Sequence, residues 1–289
     1  MRSLLSSLLL FTLTAQAAEL AVPDNVIFTK DVEFANPADQ HLQVNIAQPK
    51  EATGPFPAVV CIHGGGFRAG KREGYDKLLL TLAQHGYVAI TVTYRLAPEF
   101  KFPAAVYDCK AAVRWLRANA AKYHVDPANI GTMGGSAGGH LAQFLGVTEG
   151  VKQFDGEGNL DQSSAVKCVV NFFGPSDFTK SYGKSVDAAE VLPLFLGGDL
   201  TTKLKEHIIA SPLYWVTPAA APTLFLHGTA DQYVAFEQAQ WICDKLKAAQ
   251  VETELVPFEG ALHGLKSVPT EKTDALMIDF FDKHLKAKK

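Results

Sequence analysis

The stretch "NIGTMGGSAGGHLAQFL" (Asn129–Leu145) reads in three parts. A short apolar run comes first, then Gly134-x-Ser136-x-Gly138, then a segment of helical character. Strand, tight turn and helix in that order is the setting in which G-x-S-x-G forms a nucleophile elbow. The turn is so tight that side chains beside the serine would clash, so glycines flank it. The serine oxygen is thereby lifted above a sheet edge at a helix N-terminus. Alone the pattern is weak, because glycine and serine are common and an ordinary glycine-rich turn has the same letters. Its meaning depends on what the rest of the chain places around Ser136.

Outward from the elbow, two kinds of segment alternate. "HLQVNIA" alternates Leu42, Val44 and Ile46 with polar residues, as a half-exposed strand does. "PAVVCI", "YVAITVTY", "NIGTMG", "CVVNFF" and "PTLFLHG" are short, apolar and rich in β-branched residues, the composition of strands covered on both faces. Between them lie helical segments. "REGYDKLLLTLAQHG" ends on Gly86, a C-cap position, and "PAAVYDCKAAVRWLRANAAKYH" opens with Pro103 at a first-turn position. "AFEQAQWICDKLKAAQ" and "TEKTDALMIDFFDKHLKA" follow. This alternation predicts an α/β chain with a mostly parallel central sheet and helices on both faces. The stretch Phe178–Pro222 breaks the rhythm. It is a small insertion before the strand "PTLFLHG", partly helical in "LTTKLKEHII", and is placed to overhang a site at the sheet edge.

A serine hydroxyl is a poor nucleophile without a base and a group that orients the base. "FLHGTADQYV" supplies Asp231 after a strand, and "FEGALHGLKS" supplies His263 in the loop after "VETELVPF". The order Ser, Asp, His is that of the α/β-hydrolase triad. Asp177 in "FGPSDF" is the rival carboxylate, since it also follows a strand, but the "HGTAD" context favours Asp231. "CIHGGGFRAG" (Cys61–Gly70) then acquires a role. Backbone N–H groups must point at the oxygen that becomes negative when a carbonyl is attacked, and glycine lets the backbone come close. Gly65 and Gly66, with the N–H of Ala137, are the candidate oxyanion hole. Phe67 and Tyr233 are candidates for an acyl pocket, with core packing as the alternative. His63 is expected to shape the glycine loop, His140 to pack one turn after Ser136, and His227 to serve local structure. Arg95 and Asp108 are expected to tie a loop to a helix.

Composition bounds the rest. The 289 residues are 47% hydrophobic and 20% charged, with a formal net charge of -3, an ordinary globular balance with no concentrated basic face for nucleic acid. "MRSLLSSLLLFTLTAQAAEL" has an early arginine, a short apolar core and Ala15-Gln16-Ala17, the pattern of a secretory signal cut after Ala17. The expectation is a cleaved signal at 1–17, a secreted or periplasmic product, and a single domain over 18–289 with no membrane segment after cleavage. Cys61, Cys109, Cys168 and Cys243 sit in strand-like and helix-like runs, which suits buried thiols. No pair has zinc-site spacing, so no metal is expected. In "QFDGEGNLDQSS" (Gln153–Ser164) acidic residues alternate, but Leu160 stands where a calcium loop needs glycine and no glutamate closes it.

Together "HGGGF", "YRLAPEFKFPAAVYD", "GGSAGG", "HGTAD" and "ALHG", in this order, resemble the α/β-hydrolase superfamily, specifically the HGGG esterases and lipases related to hormone-sensitive lipase. The resemblance spans nearly the whole of residues 18–289. Two departures stand out. Gly135 replaces the aspartate usual in GDSAGG, and no large N-terminal cap precedes "HGGGF". Both are more similar to secreted esterases of plant cell-wall polysaccharides, the acetyl-xylan and feruloyl esterase-like hydrolases. The resemblance implies a cofactor-free serine carboxylesterase acting on short acyl or feruloyl esters, small or carbohydrate-linked, through Ser136, His263 and Asp231. A serine exopeptidase, an aryl-formamidase-like amide hydrolase and a non-catalytic binding protein are the alternatives on the same fold.

Overall fold

A computed structural model describes residues 20–50 and 54–286; the expected signal at 1–17 lies outside the described residues. Eight strands form one sheet: β1 (Val26–Ala35), β2 (Leu42–Pro49), β3 (Phe56–Ile62), β4 (Val88–Val92), β5 (Val125–Gly135), β6 (Val169–Phe172), β7 (Thr223–Gly228) and β8 (Thr253–Phe258). Their order across the sheet is β1-β2-β4-β3-β5-β6-β7-β8. β1 pairs with β2, and β2 with β4, antiparallel, whereas every pairing from β4 to β8 is parallel. The predicted α/β class is the observed one.

Among the described residues eight α-helices accompany the sheet: α1 (Asp76–Gln84), α2 (Ala104–Ala118), α3 (Ala120–Tyr123), α4 (Ala137–Val147), α5 (Ala188–Leu196), α6 (Leu204–Ile209), α7 (Glu237–Ala248) and α8 (Thr270–Leu285). Successive strand side chains point to opposite faces, and the core divides accordingly. From β3, Val59 and Cys61 pack with α1 and α8, while Ala58, Val60 and Ile62 pack with α2 and α4. From β7, Leu224 and Leu226 join the first group, and Phe225 meets α7 on the other face. β-branched and aliphatic residues covered on both faces are what the sequence runs contain, and this burial fixes the central strands.

The expected cap at Gly86 is observed. Its φ is +83°, and the N–H of Tyr87 returns to the carbonyl of Leu82. Pro103 precedes α2 at the N-cap rather than in the first turn. Arg95 holds Asp108 through its backbone N–H (2.8 Å) and guanidinium (2.8–3.1 Å), tying the loop after β4 to α2. All four cysteines are buried and free. In the Gln153–Ser164 loop, Arg114 donates to the carbonyls of Glu157 and Gly158, and Lys110 reaches Asp155, so side-chain cations of the protein occupy these acceptors. Among the described residues no helix is long and apolar enough to cross a membrane, and no cluster of His, Cys, Asp and Glu has metal-site geometry.

Candidate active site

The elbow lies at the C-terminal end of β5, where the chain turns directly into α4. Ser136 has φ 56° and ψ −122°, a conformation that L-residues avoid and that the surroundings must enforce. Its N–H donates to the carbonyl of Phe172 on β6. The turn passes so close to β3 that a Cβ on Gly138 would stand 2.0 Å from the Ile62 carbonyl oxygen. A side chain there would push helix and strand apart, which is why the pattern needs glycine after the serine.

Asp231 and His263 arrive from loops after β7 and β8. His263 Nε2 lies 3.0 Å from Ser136 Oγ, and His263 Nδ1 donates to Asp231 Oδ2 at 2.7 Å. Asp231 Oδ1 accepts the backbone N–H groups of Tyr233 (2.8 Å) and Val234 (2.9 Å). The carboxylate is therefore fixed on both oxygens. Burial works against its ionisation, but bonds from His227, His263 and the Val234 N–H outweigh that and hold the carboxyl well below the usual carboxylate range. The rival Asp177 is elsewhere: it accepts from Thr179, pairs with Lys180 and receives the Tyr214 hydroxyl.

His227 is a residue whose place the sequence reading missed. Its Nε2 is 2.8 Å from the Val234 carbonyl and 3.3 Å from Asp231 Oδ2, the oxygen that His263 uses. Because the carbonyl can only accept, Nε2 carries the proton and is shared with the carboxylate. The signal was in "HGTAD": histidine and aspartate four apart across a tight turn.

The glycine loop follows β3. Gly65 has φ +119°, closed to other residues, and its carbonyl accepts the N–H groups of Arg68 and Ala69. His63 shapes this loop, as expected: its Nδ1 donates to the Gly64 carbonyl at 2.8 Å, and its ring stacks on Tyr94 at 4.3 Å. Gly66 and Ala137 face the cavity beside Ser136, while Gly65 stands behind them in the turn.

That cavity measures about 80 Å³. Phe67, Phe178, Ala188, Val191 and Leu192 form its apolar side, and Tyr233 and His263 border it. Phe67 is both core and lining: it is 3% exposed, and its ring stacks on Phe195 of α5 at 3.9 Å. Tyr233 is 49% exposed, at the rim rather than inside. The Phe178–Pro222 insertion thus roofs the site from one side. His140 anchors it from below: Nε2 donates to the Ala210 carbonyl at 2.7 Å, the ring stacks on Phe178, and Nδ1 is buried without a partner. Burial pushes its pKa down to about 4, so the ring is neutral.

A family model described as BD-FAE matches residues 44–246. Esterase LipC of Mycobacterium tuberculosis is 31% identical over 228 residues, covering 76% of this chain and 56% of LipC. The chain spans about half the length of the curated relatives it matches. Among solved structures, a truncated carbohydrate esterase from gut microbiota superimposes with a TM-score of 0.81 at 28% identity, covering 92% of this chain and 99% of that one. The butyrate-bound Est2 esterase of Thermogutta terrifontis gives 0.77 at 28% identity, covering 90% and 96%. The fold is that of these α/β-hydrolase esterases.

Proposed function

The chain belongs to the BD-FAE family, and on that premise we propose that it is a serine carboxylesterase that removes short acyl groups, acetyl above all, from carbohydrate alcohols. The observation that carries this reading is the relay from Ser136 Oγ through His263 to Asp231, at 3.0 and 2.7 Å. His263 Nε2 takes the hydroxyl proton as Ser136 Oγ attacks the ester carbonyl. Asp231 keeps Nδ1 protonated and stabilises the imidazolium. The N–H groups of Gly66 and Ala137, which face the cavity, receive the oxyanion, and Gly65 holds the turn behind them. The C–O bond to the alcohol breaks, the alcohol leaves with the proton from His263, and water repeats the sequence on the acyl-enzyme.

Volume favours acetyl over feruloyl. An engineered protein-core cavity of about 150 Å³ holds a benzene ring, and this one has about 80 Å³. The names of the relatives support the ester class, and the carbohydrate esterase from gut microbiota supports the alcohol. The A-x-A pattern supports residues 1–17 as a signal and a secreted or periplasmic enzyme, which N-terminal sequencing of the exported protein tests. For the activity, p-nitrophenyl acetate hydrolysis is compared in native protein and Ser136→Ala. The variant should lose about four to six orders of magnitude in kcat. Near-native turnover in Ser136→Ala, or turnover of p-nitroanilides matching that of esters, would overturn the proposal.

A further inference from the structure

Esterase chemistry has two sides, and the small cavity accounts for one. On the esterase reading the acyl group belongs in the cavity beside Ser136, which Gly66 and Val191 line. The alcohol oxygen must sit at His263, because that ring returns the proton to it. Two aromatic rings flank His263: Phe173 at 4.8 Å, edge-on, and Tyr233 at 5.2 Å. Behind Phe173, beginning at Gly264 beside the histidine, opens a groove of about 870 Å³ between α1 and α8. It is roughly tenfold larger than the acyl cavity by the same measure.

The lining of the groove has a recognisable chemistry. Its inner part carries the rings of Tyr75, Phe172 and Phe173. Its walls carry hydroxyls and charges of both signs, among them Lys77, Lys266, Glu271 and Asp274. A polyanion would meet the carboxylates, and an aliphatic alcohol would strand the charges beside its chain. A neutral chain of sugars, with C–H faces for the rings and hydroxyls for the rim, suits both. Phe173 is fixed by its backbone as well as by packing. Its φ is +42°, an outlier for a bulky residue, and its N–H is pinned to the Leu226 carbonyl. The conformation sets its ring between the histidine and the groove.

We propose that the alcohol half of the substrate is an oligosaccharide that leaves His263 over Phe173 and Tyr233 and occupies the groove between α1 and α8. This rests on the esterase reading above and adds where the sugar chain lies. Gly74 offers the test. It lines the groove, and a Cβ placed on it meets no atom within 4 Å, so the backbone there accepts a side chain and Gly74→Trp adds bulk at the groove. The substrates are acetylated xylo-oligosaccharides of increasing length, with p-nitrophenyl acetate as the small ester. In native protein kcat/KM should rise about tenfold from the acetylated monosaccharide to the long oligomer. Gly74→Trp should lose that rise and keep p-nitrophenyl acetate turnover within about twofold. Gly74→Ala, which leaves the groove open, should keep both. No rise with length, or the same rise in Gly74→Trp, would overturn the proposal. Binding of unacetylated xylohexaose to Ser136→Ala, by calorimetry, separates the two readings. It should weaken about tenfold in the Ser136→Ala, Gly74→Trp double variant whether or not esters are turned over. No binding to Ser136→Ala sinks the groove while leaving the esterase standing.

Discussion

Acyl length is where the structure sets a number. A buried methylene gains about 0.8 kcal/mol, close to fourfold in kcat/KM when realised in the transition state. The gain stops when the cavity is full. At about 80 Å³ the acyl cavity has roughly half the space that takes six ring carbons, or about three carbons of chain beyond the carbonyl. The profile across p-nitrophenyl esters should therefore peak between about two and four carbons. It should then fall by about 1–3 kcal/mol, the usual cost of overfilling a packed space, which is roughly five- to 150-fold. Leu192, 3% exposed, forms one wall. Leu192→Ala removes three side-chain carbons, so the peak should move out by about two or three carbons and the hexanoyl ester should gain at least about tenfold over the butyryl one. The truncation costs about 2–5 kcal/mol of stability, so kinetics are run at 25 °C with the fold checked by circular dichroism. A native peak at eight carbons or longer, or a Leu192→Ala profile that overlays the native one, would refute the reasoning.

The remaining predictions separate neighbours in the site. Asp231→Asn should lower kcat by up to about four orders of magnitude, while Asp177→Asn should act on thermal stability and leave kcat within about tenfold; the reverse outcome reassigns the carboxylate. His227→Phe removes the second side-chain donor from Asp231 and should cost about ten- to a hundredfold in kcat, the worth of a bond to a charged group, with native kcat counting against a positioning role. Gly65→Ala puts a Cβ 2.2 Å from the Ala69 carbonyl oxygen and must move the loop, for about a hundredfold loss or more in kcat. Gly66→Ala meets nothing closer than Val191 at 3.5 Å, so it should cost only about 1–2 kcal/mol for its positive φ, read by melting, and stay active. His140, with a folded pKa of about 4 against an ordinary 6.5, binds its proton more readily unfolded. Its contribution is complete above about pH 6.5 and should drain by about 3 kcal/mol as pH falls to 4. Urea midpoints should track this, and His140→Phe should flatten the slope; an unchanged slope would rule it out.

What was legible in the sequence was local. Strands covered on both faces announce themselves by composition, and β3, β4, β5, β6 and β7 were read from runs such as "PAVVCI" and "PTLFLHG". β1 was not read. It is an edge strand with register shifts at Thr29/Val32 and Glu33/Ala35, and its burial does not alternate, so no period of two survives in the letters. The site divides the same way. The elbow and glycine loop are backbone devices, and backbone devices leave glycines at fixed spacing. Ser136, Asp231 and His263 follow from strand ends and chain order. The donor role of His227 depends on a turn closing over Val234, and Phe173 on a dihedral angle; neither leaves a mark in composition. For Tyr233 the letters leave pocket lining and core packing open; it borders the cavity and is 49% exposed, because exposure is decided by neighbours far along the chain.

The same distance along the chain couples two properties that the motifs keep apart. α5 supplies Val191 and Leu192 to the acyl cavity, and it also carries Phe195, which stacks on Phe67 directly after Gly66. Arg68 reaches Glu190 on that helix at 2.5 Å, but the pair is open to solvent at the Glu190 side, where such a pair is worth about 0–1 kcal/mol. The Phe67–Phe195 contact is buried, with Phe178 and His140 edge-on around it, and adds about 0.5–1.5 kcal/mol per ring pair to the area it hides. The apolar cluster, not the ion pair, holds the glycine loop against the insertion. On the proposed reading, the helix that lines the acyl cavity therefore also braces the backbone assigned to the oxyanion. Side chains that face the cavity can vary with substrate, while those that face Phe67 are bound to the geometry of turnover.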